Sequence, residues 1–212
     1  MTSPILFFLD FVSTYSYFAA LQIDEVGRRH GRQVHWQVVS LPHVFRLAGT
    51  LSPLEQPHKL AHNRRDVERV ARQLGVAFHR IATPPDVQAA RLLFHRIRRT
   101  DLAGAGRFAR EAIALRFGQG LELDTPDVLE RACQAAGIDA ALAQGVGGDA
   151  QAKADLVAAT GSAVQQHGMF GAPFAVADGE PFWGHDRVTS QLDWWLDAGA
   201  PRSDTAPRKD SA

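Results

Sequence analysis

The feature that most restricts the fold lies at the start of the chain, where a short apolar run leads directly into the start of a helix. Residues 5–10 read ILFFLD, and their length and composition predict a buried strand. Ser13 or Thr14 can supply the N-cap oxygen of a following helix that ends at Gly31. Residues 34–39 predict a second strand. Strand, helix and strand in this order predict a right-handed parallel βαβ unit.

The middle of the chain has a different pattern. Between Leu41 and about Gln166, alanine-rich amphipathic segments are separated by glycine and proline, which indicates a block of helices. We predict no strand in this block. The predicted helices cover residues 57–74, 86–98, 106–117, 126–136 and 150–167.

The C-terminal part returns to strands. Residues 174–177 and 180–183 flank the turn pair Asp178-Gly179, which predicts a β-hairpin. A last helix is predicted over residues 186–195, and the polar residues 199–212 are predicted to form a disordered tail.

The order βαβ, helices, ββα matches the plan of an α/β thioredoxin-like fold with an inserted all-helical subdomain. We therefore assign residues 1–40 and 168–198 to a thioredoxin-like domain and residues 41–167 to the inserted helical subdomain.

The charge balance argues against several classes of partner. Lys plus Arg and Asp plus Glu each number 23 in 212 residues, so no net charge attracts the protein to nucleic acid or to an anionic membrane. The N-terminal residues lack a basic region, and no segment reaches the roughly 20 apolar residues of a membrane span. We expect a cytoplasmic protein that binds a small molecule. The single cysteine, Cys133, excludes an internal disulfide and is expected to be unreactive.

Ser13 and Ser16 have the spacing of a Cys-x-x-Cys redox motif, with hydroxyls in place of both sulfur atoms. The amino end of the helix after the first strand favours an anion, which in redox proteins is a cysteine thiolate. This chain offers no thiol there, so either the site is inactive or the sulfur arrives with a ligand. We favour the second interpretation. The alternative is that Ser13 is only a helix N-cap.

A second candidate element precedes the hairpin, where residues 171–174 read GAPF. In this topology we expect the Ala172-Pro173 bond to be cis, which would turn the backbone N–H and C=O of Ala172 toward a ligand beside Ser13. The alternative is a proline that merely opens an edge strand.

Three stretches of the sequence resemble one family. They are residues 10–19, 57–76 and 168–188, of which the last, GMFGAPFAVADGEPFWGHDRV, is the longest and most specific. The chain is similar from about Phe7 to Trp195 to the 2-hydroxychromene-2-carboxylate isomerases, which belong with kappa-class glutathione transferases and DsbA-like thioredoxin proteins. The resemblance implies a homodimeric, glutathione-dependent cis/trans isomerase that acts on an aromatic substrate from a degradation pathway.

The resemblance also implies residue roles. Ser13 would hold the glutathione sulfur, and Ala172 with cis Pro173 would pair with the cysteinyl backbone. Lys59 would approach the glycyl carboxylate and Asp186 the γ-glutamyl ammonium, so that the charges of the tripeptide are complemented. The alternatives are a solvated Lys59 and an Asp186 that only caps the last helix.

Further candidates are less specific. His185, next to Asp186, is expected to contact glutathione, and the candidates for binding a substrate carboxylate are His62, Arg64 and Arg91.

The chain departs from the family pattern at several positions. Thr14 replaces a proline, His62 replaces a tyrosine, and Thr50 and His185 lie where asparagine is frequent. These changes affect the substrate side more than the sulfur side.

The implied mechanism is reversible conjugate addition of the thiolate to an unsaturated α-keto acid. The nearest alternative is a kappa-class-like transferase that conjugates glutathione to electrophiles, and a non-catalytic thiol-binding protein is a further one. Disulfide exchange is disfavoured because Ser13 and Ser16 carry no sulfur. No HExxH or Cys/His cluster indicates a metal site.

Overall fold

A computed structural model describes residues 3–81 and 86–199 of the chain, so most of the tail expected to be disordered, residues 200–212, lies outside the described residues. The core is a four-stranded sheet in the order β2-β1-β3-β4, in which β1 and β2 are parallel and the other neighbours antiparallel. Its strands are β1 (Ile5–Leu9), β2 (Val34–Val38), β3 (Phe174–Ala177) and β4 (Glu180–Trp183). The predicted strands and the α/β thioredoxin-like fold class are thereby confirmed.

Helices surround this sheet. A π-helical turn, Arg187–Gln191, leads into the last of them. The helices are α1 (Thr14–Ala20), α2 (Ile23–Arg29), α3 (Leu41–Ala48), α4 (Pro57–Leu74), α5 (Gln88–Arg98), α6 (Leu102–Gln119), α7 (Pro126–Ala135), α8 (Ala150–His167) and α9 (Leu192–Ala198). None of the helices in the described ranges combines the length and hydropathy that a membrane span requires.

One helical prediction was wrong, and one helix of the predicted helical block was missed. The single helix expected before Gly31 is interrupted at Leu21 and Gln22, where the Gln22 side chain donates to the carbonyl of Phe18 at 3.1 Å. A periodic apolar pattern continues across this break, so the pattern alone does not reveal it. The short helix α3 was not among the predicted helices. Its Pro42 lies in the first turn, where proline is compatible with a helix.

Strand β1 lies between β2 and β3 and is buried on both faces, which explains the apolar run at the start of the chain. Phe7 packs in the main core, with α1 and α4 to α7, whereas Phe8 packs in a second cluster that includes residues of α3 and α8. A strand that is buried on both faces requires apolar residues at successive positions rather than alternate ones.

A buried ion pair fixes the end of β1. The Asp10 carboxylate accepts hydrogen bonds from Arg91 of α5 at 2.7 and 2.9 Å and from the backbone N–H of Leu41 at 2.7 Å. The backbone N–H of Ser13 donates to the Asp10 carbonyl at 2.9 Å. Asp10 therefore connects β1 to α5, to the N-cap residue of α1 and to the first residue of α3.

Replacing Arg91 with alanine is expected to lower the free energy of unfolding by about 3–5 kcal/mol, because the buried Asp10 carboxylate loses its charged partner. The matched control is Glu68→Ala, which removes a surface ion pair with Arg80 and should cost less than about 1 kcal/mol. Urea unfolding followed by circular dichroism measures both values. Equal losses in the two variants would contradict the role given to the buried pair.

Candidate active site

Ser13 lies where β1 passes into α1, and its hydroxyl makes two contacts. Ser13 Oγ accepts a hydrogen bond from the backbone N–H of Ser16 at 3.1 Å, as an N-cap does. The same hydroxyl donates to the carbonyl of Ala172 at 3.1 Å. The side chain is therefore an N-cap and also touches the loop before β3. Only 8% of Ser13 is exposed.

The Ala172-Pro173 peptide bond is cis, as expected from the sequence. The carbonyl of Pro173 accepts a hydrogen bond from the backbone N–H of Gly184 at 3.1 Å, which ties this loop to the end of β4. The backbone around Pro173 is thus held between Ser13 on one side and Gly184 on the other.

A cleft of about 630 Å³ opens beside this loop. Ser13 is not among the residues that line the cleft, but its hydroxyl is hydrogen-bonded to the carbonyl of Ala172, which lines it. The residues lining the cleft include five of the candidates named from the sequence, His62, Ala172, Pro173, His185 and Asp186. Residues that lie far apart in the chain are therefore brought to one place.

The wall contributed by α1 and α4 depends on a contact that the sequence did not reveal. The hydroxyl of Tyr15 donates to the Asp66 carboxylate at 2.7 Å. Burial first, and then this hydrogen bond, raise the pKa of Tyr15 well above its ordinary value. Burial pushes the pKa of Asp66 upward, but the hydrogen bonds from Tyr15 and Arg69 outweigh it and hold that pKa below its ordinary value. Tyr15 and Asp66 both lie in stretches that resemble the isomerase family, and this resemblance was the only sign in the sequence that either residue belongs to the site.

His185 packs on the other side of Tyr15. The two rings are stacked, with centroids 5.4 Å apart and planes 8° apart, and Phe18 meets the imidazole edge-on. Burial lowers the pKa of His185, partly opposed by Asp186 and Asp66. The imidazole is therefore mainly neutral at pH 7.

Asp186 is exposed at the rim of the cleft and pairs with Arg187 at 3.1 Å. It stands at the N-cap position of the π-helical turn, but its backbone is helical and its side chain makes no capping hydrogen bond. The π-helical turn begins at the next residue, and Thr189 Oγ1 donates to the carbonyl of His185 at 2.8 Å. A π-helical turn of this kind is frequent at functional sites.

The remaining candidates are not among the residues that line the cleft. Lys59 and Arg64 are exposed on α4. Arg91 is buried, and its guanidinium is held by Asp10 rather than presented to a ligand. Of the three residues suggested for a substrate carboxylate, only His62 therefore lines the cleft.

Other reactive side chains lie elsewhere. Burial raises the pKa of the Cys133 thiol to about 11, so this thiol is protonated at pH 7. Within the described residues, His30, Asp193 and Asp197 bring possible metal ligands within 4.8 Å of one another. None of these three lines the cleft, and Asp193 is already paired with Arg29 and His30. Their contacts join α2 to α9.

Comparison with known proteins identifies the family. A model of the DsbA-like thioredoxin domain matches residues 4–193. The chain is also 30% identical over 202 residues to the 2-hydroxychromene-2-carboxylate isomerase of Sphingobium xenophagum, and the alignment covers 93% of this chain and 100% of that protein. The chain belongs to the 2-hydroxychromene-2-carboxylate isomerase family. This membership supports an isomerase activity.

Two solved structures share the fold of this protein. A selenomethionine form of a 2-hydroxychromene-2-carboxylate isomerase superimposes with a TM-score of 0.77 at 20% identity, over 92% of this chain and 94% of that one. The cytosolic disulfide reductase DsbM from Pseudomonas aeruginosa, solved with GSH, superimposes with a TM-score of 0.61 at 12% identity, over 92% and 98% of the two chains. At these identities, the likeness shows a common fold.

Removing the Tyr15 hydroxyl should destabilise this isomerase-family chain in a pH-dependent way. Tyr15→Phe keeps the ring that stacks on His185 but removes the hydrogen bond to Asp66, and we expect a loss of about 1.5–3 kcal/mol of unfolding free energy at pH 7. Because the pKa of Asp66 is lowered by folding, the stabilisation is present above the unfolded pKa and is lost as the pH falls through the folded pKa. The difference from wild type should therefore shrink in acid.

The matched control is Tyr17→Phe, since the hydroxyl of Tyr17 donates at 2.8 Å to the neutral carbonyl of Ala77. Its effect on urea unfolding should not follow the titration of Asp66. A Tyr15→Phe effect that is the same at pH 7 and in acid would contradict the ionised hydrogen bond.

Proposed function

We propose that this chain is a glutathione-dependent cis/trans isomerase that resembles 2-hydroxychromene-2-carboxylate isomerase and acts on an aromatic α-keto acid. The observation that carries the proposal is the hydroxyl of Ser13, which lies at the amino end of α1 and contacts the carbonyl before cis Pro173. Redox relatives place a cysteine thiolate at such a position. Membership of the isomerase family and the structure of DsbM with GSH support glutathione as the source of the sulfur.

Ser13 would act by stabilising the thiolate of glutathione. A free thiol has a pKa of about 8.5, and a hydrogen bond to a charged acceptor contributes roughly 1.5–3 kcal/mol. The hydroxyl first has to leave the Ala172 carbonyl, which costs about 1 kcal/mol for a neutral hydrogen bond. The net effect is a decrease of about one pKa unit in the bound thiol. The amino end of α1 acts in the same direction.

The geometry around Ser13 suits this role. The N–H of Ser16 already occupies one acceptor position on Ser13 Oγ, so the hydroxyl proton is the group left for the sulfur. When the hydroxyl turns to the sulfur, the Ala172 carbonyl can accept the cysteinyl N–H of glutathione. One rotation thus exchanges an internal hydrogen bond for two bonds to the ligand.

Charged side chains near the cleft would orient the rest of the tripeptide. Asp186 would take the γ-glutamyl ammonium at the rim, beside His185. On α4, Lys59 and His62 are three residues apart and share a face, so Lys59 remains the proposed partner of the glycyl carboxylate. Arg64 is two residues from His62 and lies on another face of the helix.

The reaction would be a reversible conjugate addition. The thiolate sulfur forms a bond to the β-carbon of the unsaturated α-keto acid, and the electron pair of the double bond moves to the carbonyl oxygen as an enolate. Rotation about the resulting single bond changes the geometry. The enolate then collapses, re-forms the double bond and expels the thiolate, so glutathione is regenerated and nothing is oxidised or reduced.

Ser13→Ala is expected to raise the pKa of bound glutathione by about one unit, because the thiolate loses its hydroxyl donor. The ultraviolet absorbance of the bound thiolate as a function of pH measures this shift. Ser16→Ala is the matched control, since the Ser16 hydroxyl is buried without a hydrogen-bond partner among the described residues and contributes only its backbone N–H to Ser13. An unchanged titration in Ser13→Ala would remove Ser13 from the mechanism.

The fate of glutathione separates an isomerase from a kappa-class-like transferase. In an isomerisation that regenerates the thiol, substoichiometric glutathione should support many turnovers, and the free thiol concentration should stay constant while the substrate geometry changes. Thiol titration during the reaction, with substrate followed by absorbance, tests this. A fall in free thiol that matches the loss of substrate would show conjugation instead.

A further inference from the structure

Two exposed aromatic side chains lie beside the cis-proline loop. Trp183 is 47% exposed and lines the cleft. Phe170 is 40% exposed, and the centroids of the two rings are 4.7 Å apart. Large apolar side chains exposed at a ligand cleft are typical of a binding surface.

Strand pairing fixes the backbone of Trp183, and its indole packs against Gly171. Trp183 pairs with Phe174 at the end of the β3–β4 hairpin, and the next residue, Gly184, donates its N–H to the carbonyl of Pro173. A Cβ atom on Gly171 would lie only 2.7 Å from Trp183 Nε1, so the indole fits against Gly171 because that residue has no side chain. A ring fixed in this way loses little entropy when a ligand stacks on it.

The charged side chains of the cleft and the indole of Trp183 come from different elements. Asp66 lies on α4, and Asp186 and Arg187 lie at the start of the last helical segment, whereas Trp183 lies at the end of β4. The charged side chains suit the carboxylates and ammonium of glutathione. An aryl ring carries no charge and gains most from a flat apolar surface.

We propose that Trp183, supported by Phe170, binds the aromatic ring of the substrate and determines the specificity of this site for aryl α-keto acids. The proposal rests on the proposed function for the class of substrate. The indole lies against Gly171, and the next residue, Ala172, accepts the hydrogen bond from Ser13. A ring stacked on Trp183 would therefore lie beside the loop that Ser13 contacts.

The test measures binding without turnover. Benzylpyruvate has an aryl ring and an α-keto acid but no carbon–carbon double bond for a thiol to attack, and pyruvate is the α-keto acid without the benzyl group. Trp183→Leu should weaken the affinity for benzylpyruvate by about 3- to 10-fold and leave the affinities for pyruvate and glutathione unchanged. Trp183→Phe, which keeps an aromatic ring, should retain most of the affinity. Equilibrium dialysis measures the affinity of each variant for benzylpyruvate, pyruvate and glutathione.

The matched control is Trp194→Leu, because Trp194 is 66% exposed on α9 and is not among the residues lining the cleft. Unchanged benzylpyruvate affinity in Trp183→Leu would overturn the proposal, and so would an equal loss of affinity for glutathione. A change of oligomeric state on gel filtration with unchanged affinity would assign the two rings to a contact between copies and would overturn it as well. Missing isomerase activity would count against the proposed function alone, since benzylpyruvate binding needs no reaction.

Discussion

The buried carboxylate of Asp10 is the constraint on which the site depends. It takes both of its charged hydrogen bonds from Arg91 and a further one from the backbone of Leu41, while its own carbonyl holds the N–H of Ser13. A charge buried this deeply is tolerated only when it is fully paired. Because the pairing reaches α1, α3 and α5 at once, the position of Ser13 is set by the packing of the helical part of the chain on the sheet.

One hydroxyl then connects the N-terminal βαβ unit to the loop before the C-terminal hairpin. Ser13 and Ala172 are 159 residues apart, and their hydrogen bond lies where the start of α1 meets the cis-proline loop. A hydroxyl has no sulfur to exchange, so a site with serine at this position can donate to a thiolate brought by a ligand without forming a disulfide with it. Because Ser13 carries a hydroxyl and not a thiol, we propose that the reactive sulfur comes from a ligand.

Sequence patterns predicted those parts of the site that are formed by residues close together in the chain. The strand before Ser13, the N-cap, the hairpin and the cis-proline loop each have a signal within a few residues. The contacts between Asp10 and Arg91, between Tyr15 and Asp66, and between Gly171 and Trp183 had no such signal. They depend on how helices pack on the sheet, which periodicity does not encode. Arg91 illustrates this limit, because an arginine suited to a substrate carboxylate is instead held by a buried aspartate.

The central claim is that the reactive sulfur belongs to a ligand and lies against Ser13. A crystal structure of the protein soaked with glutathione tests this most directly. The account predicts density for the tripeptide in the cleft, with its sulfur within about 3.5 Å of Ser13 Oγ and its cysteinyl backbone on Ala172. An empty cleft at saturating glutathione, or a tripeptide whose sulfur points away from Ser13, would contradict it.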